Sequence, residues 1–285
     1  MLDSELAPYI QLNVSAALDE DIRSGDLTAR LLPETLLASA TVITRQAGVL
    51  CGTRWFDAYF HALDADCAIN WQIKEGDVMS AGQTLCELRG RARALLSAER
   101  GALNFLQTLS GTATLVRRYA DAVAALNVKI MDTRKTLPGL RMAQKYAVGV
   151  GGGHNQRIGL FDGVLIKENH IAASGGIRAA LEQALSITPP GIPIQIEVEN
   201  LAQLDQALDA GARLILLDNF SQADMRSAVA HTAKRAEAGI VQLEASGNVN
   251  LNNVRSVAQT GVDRISIGAL TKDVQAIDLS MRIVA

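Results

Sequence analysis

Six apolar runs, each turning polar at its C-terminal end, fill the second half of the chain. They are VKIMDT (128–133), GVLIKEN (163–169), IQIEVEN (194–200), LILLDNF (214–220), VQLEAS (241–246) and RISIGAL (264–270). Segments of helical period separate most of them. LAQLDQALDAG (201–211) and NLNNVRSVAQTG (250–261) are two such segments, each closed by glycine. Strands alternating with helices imply a parallel sheet with right-handed crossovers. Six units predict a closed β/α barrel, slightly smaller than the eight-stranded kind, with an open doubly wound sheet as the alternative.

The first half reads as α+β. ATVITRQAGVLCG (40–52) alternates like a strand ending in glycine turns, and IKEGDVMSAGQTLCELRG (73–90) pairs short strands with two glycine turns. In SGDLTARLL (24–32), Asp26 is placed to cap a turn. From Ala92 to Leu126 the pattern is helical, with Leu95, Leu96, Leu103, Leu106 and Leu109 on one stripe and a break expected near Gly111. The expected organisation is an N-terminal α+β sandwich domain over 1–115 and a β/α-barrel catalytic domain over 116–285, whose last helix packs back on the first domain.

The acid–base balance narrows the partners. A net charge of -3 and a pI near 5.8 leave no basic footprint for nucleic acid. No apolar run approaches the ~20 residues of a membrane span, and no end of the sequence resembles a signal peptide. Cys51, Cys67 and Cys86 are odd in number and form no CxxC pair. Reduced thiols in a cytoplasmic protein fit them, and a zinc site does not.

In a β/α barrel the active site gathers at the C-terminal strand ends, and the polar residues fall there. The first run ends in Asp132, Thr133, Arg134 and Lys135, the second in Lys167, Glu168, Asn169 and His170, and the third in Glu197, Glu199 and Asn200. The fourth supplies Asp218 and Asn219, the fifth Glu244 and Ser246, and the sixth Gly268. Alternation along IQIEVE puts Gln195, Glu197 and Glu199 on one face and the apolar residues on the other. Helices cover a barrel's outer face, so the carboxylates point inward, and Lys167 joins them in phase with Leu165. A structural ion-pair network would account for Lys167 with Glu197, but it leaves Arg134, Lys135 and Arg157 in excess. The glycine loop VGVGGGHNQR (148–157) delivers His154, Gln156 and Arg157. ASGN (245–248) and IGAL (267–270) put small residues ahead of helices, where barrels commonly hold phosphate. P-loop, Rossmann, zincin and serine-hydrolase motifs are absent from the sequence.

With these residues assembled, the chain resembles the quinolinate phosphoribosyltransferases (nicotinate-nucleotide pyrophosphorylases, carboxylating). DTRKT.PG.R, KYAV..GGG.N.R.GL.D, LIKENH, EVEN, LILLDNF, LEASG and IGALT match that family's signatures in order. DIRSGDLTA and AERGALNFLQTLSGTAT match as well, so the likeness spans nearly the whole chain. The resemblance implies a type II phosphoribosyltransferase fold and a reaction of quinolinate with phosphoribosyl pyrophosphate (PRPP) and Mg²⁺, giving nicotinate mononucleotide, pyrophosphate and CO₂. It implies that Arg134 and Arg157 clamp the ring carboxylates, with Thr133 and Lys167 beside them, while Lys135 reaches the pyrophosphate or the substrate edge. Glu197 and Asp218 would hold the ribose hydroxyls and Mg²⁺. Ser246, Gly247 and Gly268 would cradle the 5′-phosphate, with Lys272 nearby. It further implies a homodimer, with higher assembly left open, in which Arg100 enters the partner's active site.

One position departs from the pattern. The family commonly has His before the Arg of the glycine loop, and here Gln156 stands there, with His154 two residues earlier. Gln can donate a hydrogen bond to a carboxylate but cannot carry a proton. Either His154 compensates or the imidazole is dispensable, and the second is favoured because the ribosylated ring nitrogen supplies the electron sink for decarboxylation. Alternative functions are a nicotinate phosphoribosyltransferase without decarboxylation and a lyase forming a Schiff base at Lys167. Lipoyl-like turns in EGDVMSAGQTL lack a lysine at the tip, which sets aside a carrier module.

Overall fold

The computed structural model describes residues 3–234 and 240–284. In chain order its elements begin with α1 (Asp3–Asp21), a 3₁₀ turn (Ala29–Leu31), β1 (Leu37–Thr44), β2 (Gly48–Val49) and α2 (Thr53–Leu63). There follow β3 (Ala68–Trp71), β4 (Val78–Met79), β5 (Thr84–Arg91), α3 (Ala92–Val123), β6 (Lys129–Met131) and α4 (Arg141–Val150). Next come β7 (Val164–Ile166), α5 (Glu168–Ser174), α6 (Ile177–Ile187), β8 (Ile194–Val198), α7 (Leu201–Asp209) and β9 (Leu214–Asp218). The chain ends with α8 (Gln222–Ala233), β10 (Gln242–Ser246), α9 (Val254–Ala258), β11 (Arg264–Ser266), α10 (Ala269–Lys272) and β12 (Leu279–Val284).

These elements divide into two units that are not contiguous in sequence. The first comprises 1–117, 136–152 and 271–285, and the second 118–135 and 153–270. The expected boundary at 115/116 falls beside the first change of unit at 117/118, while 136–152 and 271–285 return to the first unit. The expected C-terminal helix is instead the strand β12, and it pairs antiparallel with β1 (Val42 opposite Met281) in the first unit's sheet, ordered β12-β1-β5-β3. Leu279 and Met281 are buried on either side of half-buried Ser280, as period two requires in a strand, and the rest of β12 is exposed.

The first unit's core is aromatic. Trp55, Phe56, Tyr59 and Phe60 on α2 are all buried, and Phe56 meets Phe60 and Trp71 at ring-centroid distances of 4.8 and 5.3 Å. On α3 the predicted stripe holds, with Leu95, Leu103, Leu106 and Leu109 buried, while Leu96 is exposed. The predicted break at Gly111 does not occur, and α3 runs on through it. Glycine is needed there for close approach, since a Cβ would lie 2.1 Å from the carbonyl oxygen of Gln275. Asp26 does cap its turn: Oδ1 accepts from the N–H groups of Thr28 and Ala29 at 2.8 and 3.0 Å.

In the second unit six parallel strands are ordered β6-β11-β10-β9-β8-β7. That is chain order read around a ring, the order of a β/α barrel. Among the described residues no ladder joins β6 to β7. At that seam His154 forms a parallel bridge with Met131, exchanging backbone hydrogen bonds with Ile130 and Asp132 at 2.8 and 3.0 Å. Outward positions Ile196, Val198, Ile215, Leu217, Leu243, Ala245 and Ile265 are all buried. Register fixes the opposite face. Leu165 pairs with Gln195, Glu197 with Leu216, and Leu216 with Glu244, so these point into the barrel together.

Candidate active site

A cavity of about 250 Å³ opens among the strand ends of the second unit. Of the predicted residues it brings together Thr133, Arg134 and Lys135 after β6, Gln156 and Arg157 from the glycine loop, Lys167 after β7, Glu197 on β8, Asp218 on β9 and Ser246 on β10. Leu165, Leu216, Glu244 and Ser266 complete the wall. These four obey the same alternation that located Glu197. Glu244 is the residue expected at the end of the fifth run, and extending the rule to β11 is enough to find Ser266.

The cations are close enough to feel one another. Burial holds the Arg157 guanidinium below its ordinary value, and the charge of Arg134 presses it down further, against a smaller opposing pull from Asp162. Arg157 is fixed in place: its Nη1 donates to the Gly163 carbonyl at 2.8 Å. The loop behind it is braced by Asp162, whose carboxylate accepts from the N–H groups of Ile158 and Gly159, each at 2.8 Å. Two guanidiniums lining one cavity, each raising the other's cost, make a site that an anion stabilises.

The acidic side of the cavity is Glu197 with Asp218. Lys167 Nζ lies 3.5 Å from Glu197 Oε2. Burial raises the Glu197 carboxyl, Lys167 opposes that, and the neighbouring negative charge of Asp218 adds to it. Asn219 Nδ2 donates to Asp218 Oδ2 at 3.0 Å, while its backbone N–H donates to the Ser246 carbonyl. Gly247 follows with φ +99°, and a Cβ there would strike Asn219 Oδ1 at 2.1 Å. Glycine is therefore required to seat this corner. Gly268 lies against Lys135: a Cβ there would come 3.0 Å from Lys135 Cδ and 3.8 Å from Thr133 Oγ1.

Other predicted residues lie elsewhere. His154 belongs to the seam, and its imidazole is held below its ordinary value by burial and by Lys129 and Arg264, which sit at the starts of β6 and β11. It does not line the cavity that Gln156 lines. Glu199 is exposed and also outside the lining. Glu168, Asn169 and His170 are exposed in the first turn of α5, where His170 Nδ1 accepts from the Lys167 N–H at 3.0 Å. Asn200 caps α7. Lys272 ends α10 in the first unit and donates to Asp273 at 2.5 Å. Arg100 is exposed on α3, in the first unit, beside a cavity of about 400 Å³ shared with Asn13, Glu20 and Asn104. The helix after ASGN begins only at Val254, so the turn at Ser246–Asn248 meets no helix start directly.

Residues 112–282 match the family model for the quinolinate phosphoribosyl transferase C-terminal domain, and residues 26–110 match that for its N-terminal domain. The chain belongs to the quinolinate phosphoribosyl transferase family. Similar members include a probable nicotinate-nucleotide pyrophosphorylase [carboxylating] of Bacillus subtilis, 41% identical over 262 residues, covering 92% of this chain and 89% of the relative. A nicotinate-nucleotide pyrophosphorylase [carboxylating] of Mycobacterium leprae is 40% identical, covering 94% and 95%. The solved nicotinate-nucleotide pyrophosphorylase of Francisella tularensis superimposes with a TM-score of 0.92 at 42% identity, covering 97% of this chain and 96% of that one.

Proposed function

We propose that the chain transfers the phosphoribosyl group of PRPP to quinolinate and releases CO₂, forming nicotinate mononucleotide and pyrophosphate. The observation that carries this reading is the convergence of Arg134, Lys135, Arg157 and Lys167 on the cavity that also holds Glu197 and Asp218. Arg134 and Arg157 receive the two ring carboxylates, each through paired charge-assisted hydrogen bonds. The ring nitrogen then attacks the ribosyl carbon as the bond to pyrophosphate breaks. Glu197 and Asp218 are anions beside a carbon that becomes cationic, which favours that charge. The ribosylated, cationic nitrogen draws in the electron pair left when the adjacent carboxylate departs as CO₂, and a proton from solvent completes the product.

Glu197 and Asp218 also fit Mg²⁺, which takes one or two carboxylates and completes its shell with water and substrate phosphates. Their hard oxygens, facing one cavity, suit that ion. Among the described residues no group of three or more His, Cys, Asp and Glu side chains is arranged to hold a metal by itself. Mg²⁺ would supply neutralisation of the pyrophosphate charge. Three buried free thiols suit a reducing, cytoplasmic setting. Among the described residues no helix is long and apolar enough to cross a membrane.

The test follows both products. Protein, Mg²⁺, PRPP and carboxyl-labelled quinolinate should yield labelled CO₂ and nicotinate mononucleotide in step, with none of the mononucleotide from nicotinate. Turnover of nicotinate alone would overturn the assignment of two carboxylates to the cation cluster. The proposed homodimer places Arg100 in the partner's site. Mixing inactive Arg100→Ala and Lys167→Ala chains should then restore activity once subunits exchange, and confirmed exchange without recovery would exclude a shared site.

A further inference from the structure

Glu244 has no part in the chemistry above, yet it is the most deeply buried of the carboxylates on the cavity wall, 1% exposed. Both its oxygens are engaged. Oε1 accepts from Gln156 Nε2, and Oε2 accepts from Gln195 Nε2 at 3.0 Å. Gln156 is gripped a second time at its backbone, whose N–H donates to Oδ1 of the buried Asp132 at 2.8 Å. The next residue is Arg157, itself anchored to Gly163. The loop that carries the arginine clamp is thus tied to the barrel floor through Gln156.

A carboxamide has nearly the same shape either way round, but only its nitrogen end donates. A carboxylate accepts and does not donate, so it selects that end. Without such a partner the Gln156 side chain would have no fixed orientation and would have to be ordered on binding. Burial pushes the Glu244 carboxyl up, and hydrogen bonds from Gln195, Ser266 and Gln156, with the charge of Arg264, oppose this by favouring the anion.

We infer that Glu244 is a positioning residue for recognition of the ring dicarboxylate, holding the Gln156 carboxamide, and with it the turn into Arg157, in one orientation. This rests on the quinolinate reading. It assigns the position where the chain departs from its family a fixed orientation, supplied by the barrel floor in place of the imidazole's charge.

Glu244→Gln keeps the shape and turns one acceptor oxygen into a donor, so only one of the two amides keeps its partner. The expected result is a quinolinate KM raised about tenfold, as for one lost hydrogen bond to a charged group, with the PRPP KM changed by less than about twofold. Gln156→Met should raise the quinolinate KM alike, and the double variant should be no worse than Gln156→Met alone, because the two act as one unit. An unchanged quinolinate KM, equal losses for both substrates, or losses that multiply in the double variant would each overturn the inference. Should Glu244→Gln not fold, Gln156→Met still decides, since an unchanged KM there excludes any orientation set by Glu244. A wild-type chain that turns over no quinolinate would defeat the functional reading instead. The ¹⁵N side-chain amide signal of Gln156 then carries the test, moving in Glu244→Gln if Glu244 holds it and staying in place if not.

Discussion

In the first unit the large side chains sealed from solvent include Trp55, Phe56, Tyr59 and Phe60, whereas the inward strand positions of the second unit carry Gln195, Glu197, Glu244 and Ser246. Each buried aromatic of the first unit stabilises through apolar area, at roughly 25 cal/mol per Å². The interior of the second unit gains less of that kind, from Leu165 and Leu216, and each charge there costs free energy unless a partner meets it. The barrel is held instead by its outward positions, such as Ile196, Ile215 and Ile265, packed on the covering helices. One unit therefore places its hydrophobic residues inside a sheet–helix core. The other turns them outward and leaves its centre to groups that bind.

The contrast is broken most forcefully by Phe56→Ala. It removes a ring in contact with Phe60 and Trp71 and should cost about 3–5 kcal/mol of stability. Urea unfolding would read the loss, while the quinolinate and PRPP KM values of the remaining folded protein should stay near those of the wild type. A KM that moves with the stability would mean the two units are not functionally distinct.

Arg134→Ala is the counterpart in the barrel. Losing one side of a desolvated charge pair should weaken transition-state binding by roughly 2–5 kcal/mol, read as a fall in kcat/KM, with little change in the unfolding midpoint. Near-normal activity would remove Arg134 from the site.

Glu244 sharpens the comparison through pH. Burial raises its folded-state pKa above the ordinary value of 4.5. Between those two values the folded chain holds more protons than the unfolded chain, so stability is complete below the ordinary value and falls as pH rises through the raised one. Glu244→Gln removes this dependence. The stability of the wild type relative to the variant should therefore decline with rising pH, and a difference that stays flat would show that the floor carboxyl is not raised.

The distribution of what was legible in the sequence follows from the same contrast. Parallel strands that alternate with helices write their phase directly: alternation turns Lys167 and Glu197 inward and both line the cavity, while Glu199, in the same phase but past the end of β8, is exposed. Glu244 stands at the polar end of its run and is legible there, whereas Ser266 obeys the same rule without standing out, and the cavity joins both to the cations. Signals that depend on distant chain were not legible. Nothing local in LSMRIV says that it completes a sheet with β1, and Gly111 reads as a helix break until Gln275 is seen against it. His154 and Gln156 lie two residues apart, yet the bridge to Met131 sends one to the seam and the other into the cavity. Spacing could not separate them, because the β6 pairing that does so is a tertiary contact.

Asn200 gives the smallest effect and tests the rule that polar strand ends in the barrel belong to the site. It follows Glu199 at the end of β8, so by position it is a candidate like Asp218. Its side chain instead accepts from the Gln203 N–H at 3.0 Å, and Gln203 Oε1 accepts from the Glu199 N–H at 2.8 Å. The pair closes the first turn of α7 and leaves Asn200 exposed and outside the cavity lining. Asn200→Ala should cost about 0.5–2 kcal/mol of stability, the range for a lost N-cap, and leave both KM values where they were. Asp218, two strand positions from Leu216 on the inward face, should behave in the opposite way on replacement by Asn, with kinetics altered and stability kept. If Asn200→Ala shifted the quinolinate or PRPP KM, the cap would be part of the binding surface and the separation between structural and chemical polar residues at the strand ends would fail.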